Sequence, residues 1–84
     1  MFIELWATEH AIDWITDWFN DSKDDMKPEE QQLFEKGLNF LKEHTNGFEV
    51  NTLEEYFEIL EMIAEITDGN YNICNHGKFI SLDY

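Results

Sequence analysis

Residues 52–69, TLEEYFEILEMIAEITDG, carry the strongest local structural signal in the chain. Thr52 followed three residues later by Glu55 is a capping box, which sets the start of a helix. Tyr56, Leu60 and Ile63 then recur at helical spacing. Leu53, Phe57 and Ala64 are expected on the same core-facing side, and Ile59, Met62 and Ile66 broaden it. Gly69 is a natural stop. On the other side, Glu54, Glu58, Glu61, Glu65 and Asp68 recur at steps of four, three, four and three, one continuous row of carboxylates. No Lys or Arg lies between Lys42 and Lys78 to offset them.

The flanking segments set the rest of the architecture. Upstream, Pro28 opens a second amphipathic helix with Leu33, Phe34, Leu38 and Leu41 as its buried face, Phe40 widening it, and Asn46-Gly47 as its end. Before it, Thr8 caps a first helix whose apolar face is Ala11, Trp14, Ile15, Trp18 and Phe19, with Ile12 at the border. Its outer face carries Glu9, Asp13, Asp17 and Asp21 at steps of four. Asn20 to Lys27 is polar and reads as a loop. Phe2 to Trp6 reads as a strand, and Phe48 to Val50 as a short extended piece. Tyr71 to Cys74 and Phe79 to Tyr84 read as a hairpin turning through Asn75 to Lys78. The order β-α-α-(β)-α-β-β, with no repeat or linker, predicts a single α+β domain spanning residues 1–84. Three helices would pack on one face of a small antiparallel sheet.

Charge narrows the partners. Nineteen acids against five Lys and no Arg give a net charge of −14. Five Lys set among nineteen acids cannot neutralise a run of phosphates, so direct nucleic-acid binding is not expected, and the same reasoning excludes an anionic membrane surface. A basic protein surface is the compatible partner. Cys74 stands alone, which rules out an internal disulfide and fits a reducing cytoplasm. Residues Met1 to Thr8 lack the basic stretch of a signal peptide, and no apolar run is long enough to span a membrane. Haloadaptation also produces acidity, but Lys as the only basic residue type, with seven Asn and eight Ile, is the usage of an AT-rich genome.

Catalytic and metal chemistry have little support. The acids fall on outward helix faces without paired Arg or His, whereas acid-base catalysis needs a cleft. Cys74 with His76 offers two ligands across a turn, and His10 and His44 are isolated, short of the four a structural zinc uses. Asp21, Asp24, Asp25, Glu29 and Glu30 lack the spacing of a calcium loop. Neither a catalytic residue, a metal nor a cofactor is therefore assigned. Cys74 reads as a small buried residue, and the Trp14–Trp18 pair as core, while Trp6 or a Tyr is a candidate interface anchor.

The acidic rows admit a plain reading as solvated helix faces. Yet like charges at i,i+4 cost roughly 0.2–0.5 kcal/mol per pair, and a small domain has little stability to lose. The five-residue row spreads over about 21 Å, about one charge per 5 Å, against one phosphate per ~3.4 Å along a nucleic-acid strand. Two such rows side by side would approach the density of one strand. In size, acidity and charge layout the chain resembles small phage inhibitors of host defence: anti-CRISPR proteins, anti-restriction DNA mimics and uracil-DNA glycosylase inhibitors. It is also similar in bulk properties to immunity proteins of nuclease bacteriocins. The resemblance rests on composition and charge and carries over no individual site. It implies a non-enzymatic inhibitor, acting in a host cytoplasm, that occupies the nucleic-acid-binding surface of a nuclease or a CRISPR or restriction effector. The expected contact residues are Glu54, Glu58, Glu61, Glu65 and Asp68, supported by Asp13, Asp17 and Asp21. An acidic adaptor or structural protein, working through an apolar patch away from these rows, is the rival expectation.

Overall fold

The computed structural model describes residues 1–82 and shows an α+β fold. In chain order the elements are β1 (Phe2–Trp6), α1 (Glu9–Ser22), α2 (Pro28–Glu43), β2 (Gly47–Glu49), α3 (Leu53–Thr67), β3 (Tyr71–Cys74) and β4 (Phe79–Leu82). The predicted end of the last strand, Asp83 and Tyr84, lies outside the described residues.

Local chemistry sets the helix starts. Thr8 has extended backbone, and its Oγ1 accepts a hydrogen bond from the Ala11 N–H at 3.1 Å. At α3, Thr52 Oγ1 accepts from the Glu55 N–H at 3.2 Å. The Glu55 carboxylate reaches back to the N–H of Asn51, at 2.9 Å, one residue ahead of the cap. Pro28 occupies the first turn of α2. The expected loop from Asn20 to Lys27 is shorter than predicted: α1 continues to Ser22 and passes into a 3₁₀ turn at Lys23–Asp25. Asn20 and Asp21 can be helical there because both point to solvent while Phe19 is anchored in the core.

The sheet order is β2-β1-β4-β3. The outer pairs, β1–β2 and β3–β4, are antiparallel as predicted, but the central β1–β4 pair is parallel, so the sheet is mixed. Only β3 and β4 are joined by a short turn. The β1–β4 pairing is brought about by everything folded between them, which local pattern does not encode. Ile3, Leu5, Phe48, Ile80 and Leu82 face inward and join Ala11, Ile15 and Phe19 of α1, Phe34, Leu38 and Leu41 of α2, and Tyr56, Ile63 and Ile66 of α3 in one core. Each buried Leu, Ile or Phe among them contributes roughly 1.5–3 kcal/mol of transfer free energy. The alternate residues Phe2, Glu4 and Trp6 of β1 are exposed, so the helices cover one face of the sheet and leave the other open.

α2 packs against both α1 and α3. Its close approach to α3 depends on Gly37: a Cβ there would lie 2.9 Å from Ile66 Cγ2 and Cδ1. Tyr56 anchors α3 to the β3–β4 connection, donating from its hydroxyl to the Gly77 carbonyl at 2.7 Å.

Candidate partner-binding surface

Glu54, Glu58, Glu61 and Glu65 all project from α3 and are solvent-exposed, on the side opposite buried Tyr56, Ile63 and Thr67. Asp68 is exposed too, but it sits past the end of the helix with left-handed backbone (φ 53°), off the helical rhythm. The regular row is therefore four carboxylates over about 17 Å, with Asp68 as an outlier at its C-terminal end. Asp13, Asp17 and Asp21 form the second row on the outer face of α1, likewise exposed. Among the described residues, none of these eight side chains takes part in a hydrogen bond or an ion pair. The single ion pair there joins the terminal ammonium of Met1 to Glu49 at 3.2 Å.

The two rows do not lie side by side. α2 intervenes, and its outer face is mixed, with Glu35, Lys36, Lys42 and Glu43 exposed. The doubled row that would approach the charge density of a nucleic-acid strand is not built. Instead, a groove of about 760 Å³ runs between α2 and α3. Leu33, Phe40, Ile59 and Met62 form its apolar lining; Glu58, Glu61 and Glu65 rim it on the α3 side and Lys36 on the α2 side. The α3 row therefore borders an apolar seat rather than standing on a plain polar face.

Four apolar side chains expected in the core are exposed instead. Trp14 is 58% exposed, Trp18 39%, Leu53 65% and Phe57 57%. Phe57 lies about 100° round α3 from buried Tyr56, on the side away from Met62 and Ile66, while Trp14 and Trp18 sit at the edge of the buried Ala11, Ile15 and Phe19 stripe of α1. Trp18 keeps one ring edge against Phe34, with centroids 5.3 Å apart. Each acidic row is thus bordered by an exposed i,i+4 apolar pair, Trp14/Trp18 on α1 and Leu53/Phe57 on α3. That i,i+4 pattern is present in the sequence.

Cys74, expected to be buried, is exposed, because it lies on the open side of the edge strand β3. Among the described residues no group of three or more His, Cys, Asp or Glu is placed to hold a metal ion. None of the helices there is long and apolar enough to cross a membrane. Compared with known protein families, curated proteins and solved structures, the chain matches none.

Proposed function

We propose that this protein is a non-enzymatic acidic inhibitor. It binds a basic, nucleic-acid-handling surface of a partner protein and keeps DNA or RNA from it. The supporting observation is the set of exposed carboxylates on α1 and α3 left without hydrogen-bond or ion-pair partners among the described residues. Such a surface is self-repelling in the free protein and gains Coulomb energy only when Arg and Lys of a partner approach. With four charges on one regular helical row, α3 acts as a charged wedge rather than a replica of a strand. The groove beside it accepts apolar side chains from the rim of the partner's site. Within this class the reading is a phage anti-defence protein, such as an anti-CRISPR, acting in the host cytoplasm on a nuclease or a CRISPR or restriction effector; a bacteriocin immunity protein is the narrower alternative.

The exposed Trp14/Trp18 and Leu53/Phe57 pairs favour a second reading, an acidic adaptor whose contact is mainly apolar. The test is the association rate of a captured partner across ionic strength. A basic-surface contact slows steeply between low and physiological salt, where the Debye length falls to ~8 Å. A rate that stays flat, together with binding lost on Trp14→Ala or Phe57→Ala, establishes the adaptor instead.

A further inference from the structure

The open face of the sheet has a composition of its own. Along β1 it presents Phe2, Glu4 and Trp6, with Phe2 49% and Trp6 62% exposed. Register places Phe79 of β4 beside Glu4 on one side and Gly47 of β2 beside it on the other. Gly47 is covered by the Phe2 ring: a Cβ built there would fall 2.5 Å from Phe2 Cζ. Neighbouring strands lie about 5 Å apart and same-face residues along a strand about 7 Å apart. Glu4 is therefore framed by three aromatic residues, Phe2 and Trp6 along its own strand and Phe79 across. Its carboxylate is exposed and makes no hydrogen bond or ion pair among the described residues, Lys78 included.

We propose that this face is a docking site for an arginine side chain presented by a partner protein, its guanidinium on the Glu4 carboxylate and stacked on Trp6. The inference is independent of the acidic rows, which project from the helices away from the sheet. A purely apolar occupant would strip water from Glu4 and leave it unpaired, which is costly. A second copy of the chain would bring a further charge of −14 to this face, and nucleic acid would meet the same repulsion. A lysine ammonium satisfies the carboxylate but holds its water and has no planar face to stack. Arginine matches both features, since it forks onto a carboxylate and is more weakly hydrated.

The probe is a blocked Ile-Arg-Val tripeptide titrated to millimolar concentrations against the ¹⁵N-labelled protein. Controls carry citrulline, lysine or isoleucine in place of arginine. The expected result is saturable shifts confined to Phe2, Glu4, Trp6 and Phe79 and the Trp6 indole N–H. The citrulline and isoleucine peptides give none, and the lysine peptide binds more weakly. Glu4→Gln and Trp6→Ala each weaken binding by about twofold to fivefold. Both side chains are exposed, so unchanged melting of the variants shows that the loss is local. Equal response to citrulline or lysine overturns the proposal, and so does tighter binding of the isoleucine peptide, which would make the face an apolar contact. Shifts spread along α1 and α3 with none at the sheet overturn it as well.

Discussion

Replacing Glu54, Glu58, Glu61 and Glu65 together with Gln removes the charge of the α3 row while keeping side-chain length and helix propensity. Within α3 the four side chains enter four like-charge pairs at i,i+3 or i,i+4 spacing, Glu54–Glu58, Glu55–Glu58, Glu58–Glu61 and Glu61–Glu65, each destabilising by roughly 0.2–0.5 kcal/mol. Glu54 lies in the first turn of α3 and Glu65 near its end, so their opposite interactions with the helix dipole roughly cancel. None of the four is buried or hydrogen-bonded among the described residues, so no compensating contact is lost. The net gain is about 0.8–2 kcal/mol, which for a domain of this size is a rise in Tm of roughly 3–16 °C. Thermal unfolding by circular dichroism at low ionic strength measures it directly, and at about 1 M salt the gap between variant and wild type should shrink, since the Debye length is then ~3 Å. A variant that melts lower at low salt would refute the reasoning, because the carboxylates would then be holding the fold together.

Three further substitutions test the fold. Asp68→Asn keeps a residue that tolerates left-handed backbone and removes a negative charge from the C-terminal end of α3, so it should stabilise by about 0.3–1 kcal/mol in denaturant titration. Tyr56→Phe removes the bond to the Gly77 carbonyl and should cost about 1 kcal/mol. Burial, with a smaller contribution from Tyr71, pushes the Tyr56 phenol above its ordinary value. Its contribution is therefore complete below pH ~10 and lost as pH rises further, and Tyr56→Phe should flatten that alkaline fall. Gly37→Ala forces a methyl against Ile66 at the α2–α3 contact, where overpacking of about 1–3 kcal/mol exceeds the gain of about 1 kcal/mol in helix propensity, so Tm should fall.

Features encoded by neighbouring residues were legible in the sequence. The caps at Thr8 and Thr52, the first turn at Pro28 and the β3–β4 hairpin all depend on contacts within a few positions, and each appears where its pattern placed it. The parallel β1–β4 pair was not legible, since nothing local distinguishes a strand that will pair in parallel with one more than seventy residues away. The exposure of Trp14, Trp18, Leu53 and Phe57 was not legible for a different reason. Apolar identity does not by itself decide burial: on an amphipathic helix the side chains at the edge of the apolar stripe stay exposed unless a neighbouring element covers them. For the acidic rows, the carboxylates lie on outward helix faces as their spacing implies, except Asp68, which falls past the end of α3. Whether the two rows met depended on the order in which the helices pack, and α2 keeps them apart.

The central claim is that the α3 carboxylates and a nucleic acid compete for one surface of the partner. Its most direct test is an order-of-addition experiment on the captured partner, read by native mass spectrometry. The account predicts mutual exclusion. Wild-type protein added first blocks loading of DNA or RNA, a preloaded nucleic acid resists the protein, and the variant with Gln at 54, 58, 61 and 65 fails to block at concentrations where wild type does. A stable ternary complex of partner, nucleic acid and wild-type protein would contradict it.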